Sequence, residues 1–404
     1  MVKINIIVIL LLLQVFKARA MNGFCSIYYK SNSLFISPEA LHQKTENQLQ
    51  VKLENNKSPE VVIVLPEEFS SSLQIELHGE NSRRYLISSL ITETGQRLIN
   101  DSIPKSQNLE LALQKIDNFM PGTDGFRTSV ATYSSKIRSV PSTEAGYTSI
   151  LIPAKYLKTK KGRKLLILKA ITDGNEKPHS IEIRAISSGS HSNLKQKQVL
   201  NLNLFIPEGL KESLSNELLE ALIDKVNLIY SAANIHIVVN SLNKVSSLWD
   251  VINVDKLSVK DFYDFSKDSP YGLNIVLTKS LMSSQMGTIG GYSYALTGPS
   301  SVQGVKKSGI LLGVPIVPKK NSPNEIENWS IELANYLGHE IGHYLSLYHT
   351  YELRSYDLVD HFKDTPETAS DNLMNPETHR GELQSLSPEQ VMGIRQHPLL
   401  EFVK

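Results

Sequence analysis

The stretch from His339 to His349 reads HEIGHYLSLYH, and it constrains this chain more than any other part of the sequence. His339 and His343 are four residues apart. At about 100° per residue, an α-helix sets both on one face, one turn apart, so that two imidazoles reach a common ion. Glu340 is rotated out of that ligand pair yet stays beside it, where a general base for a metal-activated water belongs. The preceding sequence supplies the helix, because Ile326, Trp329, Leu333, Leu337, Ile341 and Leu345 recur at helical spacing. Ser322-Pro323-Asn324-Glu325 adds a capping serine, a proline for the first helical position and a glutamate to close a capping box. The expectation is a helix from about Pro323 to Leu345. His349 lies beyond it, and a straight helix would carry its ring away. A sharp turn after Leu345 would bring the ring back, completing three nitrogens around zinc and leaving one position open for water.

Blander readings fit part of the same string. Three partly buried histidines near a helix end can simply hydrogen-bond, and a thermolysin-type site would use a glutamate as third ligand. The full set, with Glu340 in place, favours zinc on His339, His343 and His349.

The string resembles the metzincin metalloprotease signature, His-Glu-x-x-His-x-x-Gly-x-x-His. Downstream, DNLMNP (Asp371 to Pro376) resembles the methionine turn of that clan, with Met374 beneath the metal. LYHTYE, DHFKDTPE and NLMNP follow in the order seen in pappalysin-like metzincins of bacteria. The resemblance runs from roughly residue 201 to 404 and is specific only between His339 and Pro376. It implies an α+β zincin domain with a mixed sheet and an active-site helix. It further implies a zinc endopeptidase (a hydrolase) that acts on protein or peptide, with Glu340 as general base and acid and Met374 as a structural support. Two departures stand out. Ser346 replaces the turn glycine, where a left-handed backbone costs an ordinary residue about 1 kcal/mol or somewhat more. Pro376 stands where many metzincins place a tyrosine that stabilises the transition state, so that role is unassigned.

The chain has 404 residues, which is ample for two domains, and its formal net charge of +1 gives no support to a nucleic-acid or anionic-membrane partner. Lys3, the apolar run Ile4 to Phe16 and Ala18-Arg19-Ala20 fit a signal peptide over residues 1–20 and hence export, whether secreted, periplasmic or cell-surface. No later segment reads as transmembrane. Cys25 is the only cysteine, so no internal disulfide can form, and Phe24 before it argues against a lipid anchor.

Residues 21–55 are polar and read as a leader or linker. Between 56 and 190, short β-branched runs such as EVVIVLP, SLQIELHG, KLLILKAI and SIEIRAIS suggest a β-sandwich-like domain, with TDGN at Thr172 to Asn175 as a hairpin turn. The polar stretch from Ser187 to Gln198 is the expected boundary. Beyond it, strands and helices alternate through residues 198–404, including the glycine-rich GGYSYALTG, whose edge could add a substrate strand. Asp357, Asp360, Asp364, Glu367 and Asp371 make either a solvated acidic loop or a candidate calcium site. Two rival organisations remain open. In one, the metal fold is an inactive relic and the β-rich half binds a partner. In the other, residues 21–190 are a pro-segment whose Cys25 thiolate blocks zinc.

Overall fold

The computed structural model describes residues 32–36, 44–67, 69–80, 83, 85–100, 146–157, 164–172, 178–188, 195–256, 266–284, 287–294, 297–301, 303–305, 308–314, 316–319, 322–352, 355–359, 362–365, 369–377 and 381–403. The expected export segment, Cys25 and most of the TDGN turn lie outside them. Among the described residues no helix is long and apolar enough to cross a membrane.

The described residues of the first half contain nine strands: β1 (Ser33–Phe35), β2 (Lys44–Leu53), β3 (Val61–Leu65), β4 (Leu73–His78), β5 (Tyr85–Thr92), β6 (Arg97–Asn100), β7 (Tyr147–Ile152), β8 (Lys164–Thr172) and β9 (His179–Ser188). They form two sheets, ordered β1-β3-β8-β5-β6 and β2-β9-β4-β7. Among these described pairings only β1 with β3 is parallel. Ile63 and Leu168 from one sheet meet Ile75 and Ile183 from the other in a single apolar core. Burying both inner faces in this way removes their β-branched side chains from water at roughly 25 cal/mol per Å².

One expectation needs correction here. Inside the stretch read as leader, residues 21–55, β1 and β2 are strands, and β2 pairs with β9 along its whole length. The reason is its place at a sheet edge. Leu49, Val51 and Leu53 turn toward the core while Gln48, Gln50 and Lys52 stay exposed, so half of a polar-looking sequence is free to face water.

The second half runs β10 (Gln198–Pro207), α1 (Asn216–Ser231), β11 (Ile235–Val245), β12 (Val251–Asn253), β13 (Leu273–Thr278), β14 (Ser280–Ser283), β15 (Gly287–Thr288), β16 (Gly291–Ser293), β17 (Gly309–Gly313), α2 (Pro323–Tyr344), β18 (Tyr351–Glu352), β19 (Ser355–Val359), α3 (Pro388–Ile394) and β20 (Glu401–Phe402). Its main sheet is ordered β11-β10-β13-β17-β16, with β20 also pairing β10. The first four of these strands are parallel and β16 runs antiparallel to β17, so the architecture is mixed α+β. Side chains alternate along β10: Leu202, Leu204 and Ile206 join the core under α1 and α2, whereas Phe205 joins Val276 and Leu311 on the other face. α1 presents Leu218, Leu222, Val226 and Ile229 to that core, and the Tyr230 hydroxyl donates to the Gly338 carbonyl of α2 at 2.8 Å.

α2 matches its expected span to within one residue, but the expected cap at Ser322 is absent: its side chain makes no capping hydrogen bond. The Ser322 amide donates to Lys319 O, and the resulting turn holds Ser322 at φ −115°, ψ 81°, away from the extended geometry a capping side chain requires.

Candidate metal centre

α2 ends in a reversal built on Ser346. The Leu347 amide donates to Gly342 O at 2.8 Å and the Ser346 amide to His343 O at 3.0 Å, the paired bonds of a Schellman motif. Ser346 takes the left-handed position usually given to glycine, with φ 88°. The expected turn therefore forms with serine in place, and it folds His349 back against the helix.

The three imidazoles then converge. His349 Nε2 lies 3.1 Å from His339 Nε2 and 3.1 Å from His343 Nε2. The other ring nitrogens are held by backbone carbonyls, His339 Nδ1 on Leu373 O at 2.7 Å and His343 Nδ1 on Leu347 O at 2.9 Å. A carbonyl can only accept, so both Nδ1 atoms carry protons, and in neutral rings both Nε2 atoms present lone pairs. One proton on His349 could satisfy only one of them. A shared cation satisfies all three: nitrogens about 2.0–2.1 Å from a tetrahedral zinc sit about 3.3 Å apart. The donor set therefore fits zinc, and among the described residues it is the group that could hold a metal ion.

Glu340 is buried on α2 beside this set. The edge strand β16 presses onto it. A Cβ built on Gly291 would lie 2.6 Å from Glu340 Cγ, and one on Gly290 would lie 2.6 Å from the Tyr336 ring. Glycines at 290 and 291 let the strand backbone approach the helix closely. The sequence marked this loop as glycine-rich, but not the contact that requires it.

Met374 is fully buried below the helix, and a Cβ on Gly342 would come within 2.5 Å of its Sδ. The turn around it also serves the ligands. Asn372 Oδ1 accepts from the Met374 amide at 2.8 Å, Met374 O accepts from the Thr350 amide at 3.0 Å, and Leu373 O orients His339. These backbone roles leave no mark in the sequence beyond Met374 itself.

The two described members of the acidic cluster do not come together in a site. Asp364 caps α3, accepting from Ser387 Oγ and from the Glu389 amide, each at 2.8 Å, and Asp371 is exposed. The side chains of Asp357, Asp360 and Glu367 lie outside the described residues. Nothing among the described residues supports calcium.

Residues 323–392 match the family described as Peptidase_M43, pregnancy-associated plasma protein-A. That segment holds the three histidines, Glu340 and Met374, so the resemblance to pappalysin-like metzincins is shown over it. Among solved structures, the chain is similar to metalloproteinase-II from Bacteroides fragilis at 15% identity and TM-score 0.31, covering 51% of this chain and 55% of that one. It is also similar to archaemetzincin from Methanopyrus kandleri at 12% identity and TM-score 0.26, covering 49% and 87%. The chain thus spans little more than half the length of the Bacteroides fragilis protein it matches. No curated protein matches it.

Proposed function

We propose that this chain, pappalysin-like over residues 323–392, is a zinc-dependent endopeptidase. One observation carries the reading: three Nε2 atoms converge within hydrogen-bond distance while backbone carbonyls accept from, and so keep the proton on, the opposite nitrogens of His339 and His343. His339, His343 and His349 hold the zinc. Bound zinc supplies Lewis acidity that brings the pKa of a water toward neutrality and polarises a carbonyl. Glu340, adjacent to the first ligand and pinned by Gly291, accepts the proton of the attacking water and passes it to the leaving amine. β16 is the last strand of its sheet and lies along α2 at Glu340, which supports docking of an extended peptide by strand addition. Lys3, the apolar run and Ala18-Arg19-Ala20 support export before action. The stretch from Ser187 to Gln198 divides a β-rich unit from the peptidase unit.

The test is Glu340→Ala with zinc content and peptide-library cleavage measured together. Zinc should stay at the parent level while cleavage falls on the order of 10²–10⁴-fold. A parent protein that binds zinc but cleaves nothing would instead support the relic reading.

A further inference from the structure

We propose that residues 297–301 form a buckle through which the first half of the chain, anchored by Glu76, sets the turn that delivers His349 to the metal. The proposal rests on the zinc reading above and assigns Glu76 as a positioning residue for that site.

The buckle is gripped from both sides. On the metal side, the Gly298 amide donates to Tyr344 O at 2.8 Å, and the Tyr344 hydroxyl donates to Pro299 O at 2.8 Å. Thr297 Oγ1 donates to Ser346 Oγ at 2.9 Å. Tyr344 and Ser346 flank the cap of α2, so these bonds bear directly on the reversal that returns His349. A Cβ on Gly298 would fall 2.2 Å from the Tyr344 ring, which leaves room only for glycine at that contact.

On the other side, the first half reaches across with buried polar groups. Ser149 Oγ donates to Thr297 O at 2.8 Å and Gln74 Nε2 to Gly298 O at 2.8 Å. Glu76 accepts from the Ser300 amide at 3.0 Å and from the Ser301 hydroxyl, while His78 Nε2 lies 3.0 Å from its second oxygen. Arg184 Nη1 donates to Ser301 Oγ at 3.1 Å. The Glu76 side chain is fully buried, and a buried carboxylate stripped of its partners costs several kcal/mol. Two of those partners belong to the buckle. The fold of the first half and the position of residues 300 and 301 are therefore mutually dependent.

His397 adds a third grip. The Leu399 amide donates to its Nδ1 at 3.1 Å, so in the neutral ring the proton sits on Nε2, which donates to Gly298 O at 3.1 Å. Gln396 beside it ties α3 to the first half, its Oε1 accepting from the Ala154 amide at 2.8 Å. Thr297, a β-branched residue, is held at φ 58°. Such a conformation persists only where the surroundings over-determine it, and here both halves do so. On this account the first half is a lasting part of the working molecule, and cutting it away would loosen the metal site.

The experiment compares zinc affinity, by competition with a chromogenic chelator, in the parent, Glu76→Ala and Leu73→Ala full-length proteins. Leu73 lies on the same strand in the apolar core and makes no bond to the buckle, so its variant reports general destabilisation. Glu76→Ala should weaken zinc binding by about 10–100-fold, as loss of outer support does at other metal sites, with Leu73→Ala within about twofold of the parent. Should Glu76→Ala fail to fold, Ser149→Ala, which removes one bond to Thr297 O, is judged on the same comparison with a weakening beyond about twofold expected. Unchanged affinity in the buckle variant, or an equal loss in Leu73→Ala, overturns the proposal while leaving the zinc reading intact. A parent that binds no zinc overturns both.

Discussion

Ser346 occupies a backbone position that favours glycine, and the structure shows what offsets the strain. Its φ of 88° costs about 1 kcal/mol, and the hydrogen bond from Thr297 Oγ1 returns a similar amount. Ser346→Ala keeps the strain and loses the bond, so chemical denaturation should show a loss of about 1 kcal/mol. Ser346→Gly loses the bond but relieves the strain, and should fall within about 1 kcal/mol of the parent. An alanine variant more stable than the glycine variant would contradict this balance. At Gly291 the constraint is contact. Gly291→Ala puts a methyl 3.0 Å from Glu340 Oε1, so the carboxylate must shift. Cleavage should drop on the order of 10²-fold with zinc content unchanged, the signature of a displaced base rather than a lost metal.

At the scale of elements, two helices begin with the same Ser-Pro pair and differ in how they are capped. α3 has a complete capping box: Ser387 Oγ accepts from the Gln390 amide and the Gln390 side chain accepts from the Ser387 amide. α2 has no side-chain cap because the Lys319–Ser322 turn fixes Ser322 elsewhere. Ser387→Ala should therefore cost about 1 kcal/mol, the more so because it also abandons Asp364. Ser322→Ala should change stability by less than about 0.5 kcal/mol. Thermal melts of the two variants check the contrast. β2 makes a related point, since its polar letters conceal a strand whose inward face appears only once β9 is beside it.

Across the whole molecule, the buried Glu76 makes stability depend on acid. Burial alone would raise its pKa, but His78, Ser301 and Ser300 outweigh burial and hold it below the ordinary 4.5. A depressed carboxyl contributes stability fully above its unfolded value and loses it as pH falls through the folded one. In metal-free protein, where zinc release does not add to the acid response, the Glu76 contribution should be lost as pH falls below about 4.5, lowering the parent's melting temperature. Glu76→Gln, which does not titrate, should already be less stable at neutral pH and show a shallower acid slope. Parallel slopes for the two proteins would remove Glu76 from the acid response.

The sequence alone determined the long helix, the spacing of its two histidines and glutamate, the need for a turn after Leu345, and most of the strands. Each of these follows from local periodicity or from residue types whose chemistry acts over a few positions. Only the tertiary structure decided how those pieces are held: the carbonyls of Leu347 and Leu373 that set the imidazole tautomers, the close approach of Gly291, and the grip of Glu76 on residues 300 and 301. Backbone carbonyls are the same at every position, and the contact between Glu76 and Ser300 joins groups more than two hundred residues apart. No local pattern encodes such a contact, because its energy exists only once both surfaces have folded and met.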